Sequence, residues 1–250
     1  MTAQPLNLDR LFDALAEGWR LAGETRRAGI AYTAVFVLVG ALIIGGLLAR
    51  GWTPFVIAAA GAFMLVGPTI LAGFFGIAEA HEAGHIAGIS AVARGFSTAS
   101  RSIWALSLVC GLLFMIFVTD AAILYAYMIG DVPVWLSEVV PTSANVSRFV
   151  LWSSVSGAVV AFLLFAVSAF SVPLLCERRA GLVEAVVTSV RIVFGNFVVC
   201  MAWAFLLATS VIGSILILPL LLVALPWLAY ASRALYRSAL PRQGEGAAGV

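Results

Sequence analysis

The chain has 250 residues, of which 63% are hydrophobic and only 10% are charged, and its mean hydropathy is +1.09. A soluble domain of this size has no core large enough to hide so much apolar surface, so the composition excludes a soluble globular protein and indicates an integral membrane protein. The net charge is +2, and all 14 basic residues are arginines. Because they are scattered along the chain, they predict no nucleic-acid-binding surface.

Residues 1–28 predict an amphipathic helix on the cytoplasmic side, with Asn7 as its N-cap. Its apolar residues recur at helical spacing: Leu8, Leu11, Phe12, Leu15, Trp19 and Ala22. The first 27 residues carry eight charges and no apolar core of a signal peptide. We therefore expect the first span to act as its own insertion signal.

Uncharged stretches predict an all-α membrane domain over residues 29–233, since about 20 helical residues cross a bilayer. The six predicted spans, paired as three helical hairpins, are about 29–49, 53–79, 103–127, 149–175, 193–212 and 215–232. The last two share one uncharged run, which we expect to turn near Gly213-Ser214. Residues 234–250 are predicted to form a cytoplasmic tail.

The arginines predict the orientation. With the N-terminus in the cytoplasm, the outer loops hold only Arg50 and Arg148, and the inner segments hold the other twelve arginines. This bias predicts a multi-pass protein of the bacterial inner membrane with both termini cytoplasmic.

Two further amphipathic segments precede spans. One contains Leu182, Val186 and Val190, and a weaker one runs from Ile86 to Ala93. Such helices either present a face to lipid or to a partner protein, or simply pack beneath the bundle. The second member of each hairpin also carries a proline, at Pro68, Pro173 and Pro226. Prolines can kink a span and gate a transport path, but passive bundles contain them as well.

His81-Glu82-Ala83-Gly84-His85 has the spelling of a zinc peptidase helix, in which the two histidines bind zinc and Glu82 activates water. The segment is similar to the active-site helix of site-2-type intramembrane proteases, a resemblance that also implies a later aspartate followed by glycine. No aspartate of this chain precedes glycine. Glu177 and Glu184 are the only other ligands expected on the same side. We therefore predict no metal site and no catalytic residue; if that is wrong, His81 and His85 are the ligands and Glu82 the base.

Four residues are candidates for an intramembrane role: Asp120, Pro68, Pro173 and Asn196. Asp120 belongs either to a proton or ion path, or to the outer interface, where water reaches it. Asn196 is expected to bond a neighbouring helix or to cap its own.

Several segments resemble one family of bacterial integral membrane proteins, domain-of-unknown-function family 2189. The resembling segments are Gly18-Trp19-Arg20, Ala31-Tyr32, Leu65 to Pro68, Gly73, Glu82 to Gly84, Phe170 to Leu175, Glu177 to Arg179, Thr188 to Arg191, Asn196, Trp203 and Leu225 to Arg237. The resemblance implies six helices and no particular activity. Some relatives carry the label of a cytochrome oxidase component, but two histidines and three isolated cysteines cannot ligate haems and copper. We expect no cofactor.

The sequence therefore predicts a non-enzymatic accessory or scaffolding component of a membrane complex. The expected partners are the lipid bilayer and other membrane proteins, without nucleic acid. A small-solute transporter or channel is the alternative, and a zinc-dependent intramembrane peptidase is a third candidate that rests on the pentapeptide alone.

Overall fold

The computed structural model describes residues 4–50, 55–86, 88–98, 101–128, 144–216 and 218–241. Within these ranges the chain is helical and contains no strand. The described residues form ten helices: α1 Leu8–Glu24, α2 Arg26–Ala49, α3 Phe55–Glu82, α4 Ile89–Thr98, α5 Ser102–Met128, α6 Ala144–Ser168, α7 Ser171–Cys176, α8 Leu182–Gly195, α9 Phe197–Leu216 and α10 Leu218–Ala239.

Long apolar helices dominate this architecture. Four stretches among the described residues are long and apolar enough to cross a membrane: Arg26–Ile43, Ser102–Asp120, Ser154–Cys176 and Pro219–Ala239. The pair α8 and α9, bent by 104°, would add a fifth if it forms one span. The all-α membrane architecture is thus confirmed, whereas the count of six spans stays a prediction.

The first amphipathic segment forms α1, which packs across α10. The Asn7 side chain accepts a hydrogen bond from the Arg10 amide at 2.9 Å, which confirms the predicted N-cap. A Cβ added to Gly18 would lie only 2.6 Å from the Ala231 nitrogen, so the two helices cross with backbones nearly in contact. The buried face of α1 consists of Leu11, Ala14, Gly18 and Leu21.

Of the two other predicted amphipathic segments, one forms α8, and the weaker one is helical only from Ile89, where α4 begins, with Ile86 exposed outside that helix. Helix α4 crosses α3 at two glycines, where a Cβ on Gly95 would lie 3.1 Å from the Gly76 Cα. Helix α8 buries Ala185, Ser189 and Ile192. The position of these helices relative to the membrane surface stays a prediction.

Three predicted boundaries differ in the structure. The turn expected at Gly213-Ser214 lies inside α9, which runs to Leu216, and α10 begins at Leu218, just before Pro219; residue 217 between them lies outside the described residues. Proline is readily accepted in the first turn of a helix, where its missing N–H costs nothing. The span predicted at 149–175 is divided between α6 and α7. At the end of the chain, α10 continues past residue 233 to Ala239, with Tyr236 fully buried; residues 242–250 of the predicted tail lie outside the described residues.

The three prolines do not play equivalent roles. Helices α3 and α10 continue through Pro68 and Pro226. Pro173 lies instead in the first turn of the short helix α7, directly after the interruption of the predicted fourth span. The regular placement seen in the sequence therefore corresponds to two different structural positions.

Candidate functional site

The HEAGH segment forms the end of α3 rather than a continuous helix. The last helical residue is Glu82, and Gly84 follows with φ of 70°, a left-handed conformation that glycine adopts without strain. The His85 amide donates to the Ala80 carbonyl at 2.9 Å, which completes the terminal turn. Because the helix stops between them, His81 and His85 do not share one helical face.

Each histidine has a different environment. His81 Nε2 lies 3.0 Å from Glu24 Oε2, which joins the end of α3 to the end of α1. His85 is exposed beyond the end of α3. The described residues contain no group of three or more His, Cys, Asp or Glu side chains that could hold a metal ion.

Glu82 forms an ion pair with two arginines of α10. Its Oε1 and Oε2 accept from Arg233 Nη1 at 2.6 Å and Nη2 at 3.0 Å, and from Arg237 Nη1 at 2.9 Å and Nη2 at 3.3 Å. The Arg233 side chain is only 3% exposed, whereas that of Glu82 is 43% exposed. The negative charge of the Glu82 carboxylate thus balances the positive charge of the Arg233 guanidinium, which is buried inside the protein.

The pKa of Glu82, which lies beyond the predicted end of the second span, follows from these contacts. Burial by itself raises this pKa, but the hydrogen bonds and charges of Arg233, followed by those of Arg237, outweigh it. The net result is a pKa below the ordinary value of 4.5. Glu82 is therefore a bound carboxylate, poorly suited to take a proton from water as a general base.

A second carboxylate extends this group. The Glu177 side chain, which is 4% exposed, accepts from the Tyr236 hydroxyl at 3.3 Å and lies 3.6 Å from Arg237 Nε and 3.9 Å from Arg179 Nη1. Arg179 in turn donates to the Leu240 and Pro241 carbonyls at 2.7 and 3.2 Å. The residues Glu82, Glu177, Arg179, Arg233 and Arg237 together are called the ion cluster below. They tie α3, the end of α7 and the end of α10 to one another.

A cavity of about 250 Å³ lies beside the ion cluster. Helix α1 contributes Glu17 and Leu21, α3 contributes Glu82, and α10 contributes Tyr230, Arg233, Ala234 and Arg237. Glu17 pairs with Arg20 at 2.6 Å, and Glu82 pairs with both arginines of α10. The charged groups of the wall are thus engaged with protein partners.

The remaining candidates lie away from this cluster. Asp120 of α5 accepts a hydrogen bond from the Ser156 hydroxyl of α6, which links two adjacent helices. Asn196 lies at the corner between α8 and α9: its Oδ1 accepts from the Leu6 amide at 2.7 Å, and its Nδ2 donates to the Ile192 carbonyl at 3.1 Å. Asn196 thus caps the end of α8 and holds the segment that precedes α1, rather than bonding a neighbouring helix, and its proposed role inside the membrane stays a prediction. Glu184, weighed as a zinc ligand, is exposed on α8.

Sequence reasoning missed the ion cluster. A signal was present, because Arg233 and Arg237 are four residues apart and therefore share one face of a predominantly apolar helix. Charges on an otherwise apolar segment need a partner, and Glu82 ends another apolar helix. Which helices are neighbours, however, was not visible in the sequence.

Long apolar helices, with charged groups gathered at their ends and paired there, define an integral membrane protein. The chain matches the family described as predicted integral membrane protein, DUF2189, over residues 55–177. The resemblance predicted from the sequence is therefore confirmed across α3 to α7, a range that contains HEAGH and Asp120. A search of curated proteins and a search of solved structures each found no match.

Proposed function

We propose that this chain is a non-enzymatic accessory or scaffolding component of a membrane complex in the bacterial inner membrane. The observation that supports this proposal is the ion pair of Glu82 with Arg233 and Arg237. Glu82, which a zinc peptidase would use as the base that activates water, here holds α3 against α10. His81 with Glu24, and Asp120 with Ser156, likewise join one helix to another.

The energetics favour a structural role for Glu82. Freeing this carboxylate would leave Arg233 as a buried charge without compensation, which typically costs about 3 kcal/mol or more. A catalytic base needs a lone pair directed at its substrate, and that geometry would require breaking the same contacts. A scaffold needs only that the helices stay together, which the ion cluster provides.

The proposed topology has six spans, formed by α2, α3, α5, α6 with α7, α9 and α10. Helix α3 has 28 residues and would extend ~42 Å, enough to cross the hydrocarbon core. The arginine distribution supports cytoplasmic termini. Reporter fusions after residues 50, 148 and 250 test this arrangement: periplasmic activity is expected only from the first two, and periplasmic activity at residue 250 would overturn it.

The scaffolding role is tested by native mass spectrometry of the chain, tagged at its chromosomal locus and extracted in a mild detergent. A complex of fixed stoichiometry with at least one other membrane protein supports the proposal. A tagged, unrelated multi-pass protein from the same membrane is the control for incidental co-extraction. A chain that is recovered only alone or with copies of itself contradicts it.

A small-solute transporter or channel is the second candidate, favoured by the contact of Asp120 with Ser156 between two apolar helices. A carboxylate at such a position is costly in lipid and often marks an ion or proton path. Proteoliposomes loaded with a pH-sensitive dye test this alternative. Proton flux that Asp120→Asn abolishes, and that Ser147→Ala at an exposed position leaves unchanged, would favour the transporter over the scaffold.

A further inference from the structure

Helix α8 has three different faces. One is buried in the protein and contains Ala185, Ser189, Ile192 and Val193. The exposed residues divide into an apolar stripe, Val183, Val187 and Phe194, and a charged pair, Glu184 and Arg191. Since successive residues of an α-helix are about 100° apart, the apolar stripe spans roughly 40° and the charged pair lies about 70° from its centre. Helix α8 thus has a buried side, an exposed apolar side and an exposed charged side.

Helix α1 repeats this arrangement. Its buried face packs against α10. An exposed apolar stripe consists of Leu8, Phe12 and Trp19, whose exposed fractions are 47%, 64% and 58%. The charged face contains Asp9, Asp13, Glu17, Arg20 and Glu24. An amphipathic helix that only packed beneath the bundle would need a single apolar face. Helix α1 has a second, exposed apolar face, which would be stabilised by an apolar environment outside the described protein.

The corner at Asn196 gives the direction of α8. The axes of α8 and α9 are bent by 104°. If α9 crosses the membrane along its normal, α8 lies about 14° from the membrane plane; tilting α9 by that amount, less than the average tilt of about 20° for membrane spans, would place α8 in the plane. The two helices together therefore have the geometry of an interfacial helix followed by a span.

The apolar stripe of α8 continues around this corner. Phe194 before the corner and Phe197 and Val198 after it are all at least half exposed, and Phe205 extends the exposed apolar surface along α9. The hydrogen bond from the Leu6 amide to Asn196 brings the start of α1 to the same corner. The stripe of α8 is thus continuous with the side of α9 that would face acyl chains.

We propose that α1 and α8 are interfacial helices. Their exposed apolar stripes contact lipid in one leaflet of the bilayer that surrounds the proposed spans. This inference rests on the proposed topology only in requiring that α9 crosses the membrane. Within Leu8–Glu24 four acidic residues stand against two arginines, and α8 has one exposed residue of each sign, so neither helix has a net positive charge of its own to attract anionic lipid. Attachment comes from apolar burial, and a neutral phosphatidylcholine bilayer is sufficient for it.

Spin labels on adjacent residues provide matched tests. Val183→Cys and Phe12→Cys place a label on the two stripes, and Glu184→Cys and Asp13→Cys place one on the neighbouring charged faces. The three native cysteines are buried and should take up little label. The parent chain, treated with the same reagent, measures that background signal. Each variant is reconstituted into phosphatidylcholine nanodiscs, and the accessibility of the label to dissolved oxygen and to a water-soluble nickel chelate is measured.

The stripe labels are expected to be several-fold more accessible to oxygen and several-fold less accessible to nickel than their charged neighbours. Equal nickel accessibility within each pair overturns the proposal. Labels on the stripes that neither reagent reaches also overturn it, because a partner protein or a second copy would then cover these surfaces. If the labels report lipid contact but the reporter fusions show the opposite orientation, the lipid contact stands and the proposed orientation is rejected. The failure of one proposal is therefore distinguishable from the failure of the other.

Discussion

Glu82, the last residue of α3, binds the guanidinium of Arg233 through two hydrogen bonds of 2.6 and 3.0 Å, although 151 residues separate them in the chain. Arg233 is almost completely buried and needs this carboxylate. Glu82, the residue that would activate water in a zinc peptidase, is here a link between two helices.

Replacing Glu82 is therefore expected to destabilise the protein. Glu82→Gln removes the negative charge that compensates Arg233 and should cost about 2 kcal/mol, less than a fully buried pair because Glu82 is partly exposed. Thermal unfolding in detergent measures the loss as a lower Tm. Glu184→Gln, on the exposed face of α8, is the control and should change stability by less than about 0.5 kcal/mol. Equal Tm values for the two variants would contradict the assignment.

The same ion pair predicts an acid-dependent loss of stability. The pKa of Glu82 is lower in the folded protein than its ordinary value of 4.5. The unfolded chain therefore binds a proton first, so the stabilisation is complete above pH 4.5 and declines as pH falls through the folded pKa. Tm measured from pH 7 to pH 3 should fall more steeply for the parent than for Glu82→Gln. Parallel curves would show that Glu82 does not contribute.

The crossing of α1 and α10 predicts that Gly18 tolerates no side chain. A Cβ at this position would lie 2.6 to 2.8 Å from atoms of Ala231. Gly18→Ala should therefore cost about 1–3 kcal/mol, because the helices must move apart. Gly23 of the same helix has nothing within 4 Å, so Gly23→Ala should be neutral or slightly stabilising. Denaturation of both variants in detergent checks the difference, and a Gly18→Ala variant as stable as the parent would exclude the close crossing.

Asn196 predicts a local effect at the start of the chain. Asn196→Ala removes the acceptor of the Leu6 amide, so hydrogen exchange of the Leu6 amide should become several-fold faster. Asn196→Asp retains a side-chain oxygen and serves as the conservative comparison. Exchange within α5, remote from this contact, should be the same in all three proteins. Unchanged exchange of the Leu6 amide in the alanine variant would show that Asn196 does not hold it.

HEAGH is expected to bind no stoichiometric zinc. The helix ends at Glu82, and His81 contacts Glu24 instead of sharing a face with His85. Metal analysis of purified protein should give far less than one zinc per chain, and the double variant His81→Ala, His85→Ala should fold like the parent. Stoichiometric zinc that this variant loses would restore the peptidase hypothesis.

Local properties of the sequence determined the membrane class, the N-cap at Asn7 and the amphipathic helices α1 and α8. Each of these depends on residues close together in the chain: apolar runs long enough to cross a bilayer, a side chain that caps the next turn, and apolar residues at helical spacing. The end of α3 was also encoded locally, by Gly84, although the peptidase spelling obscured it. Neighbouring residues alone were sufficient for all of these features.

Only the tertiary structure decided which distant side chains meet. Helical periodicity gives the face of a helix on which Glu82, Arg233 or Asn196 lies, but it does not specify the helix opposite. The choice follows from packing, such as the fit of Gly18 against Ala231, which brings α1 onto α10. That packing surrounds Arg233 with protein, and a buried guanidinium then requires the carboxylate that α3 supplies.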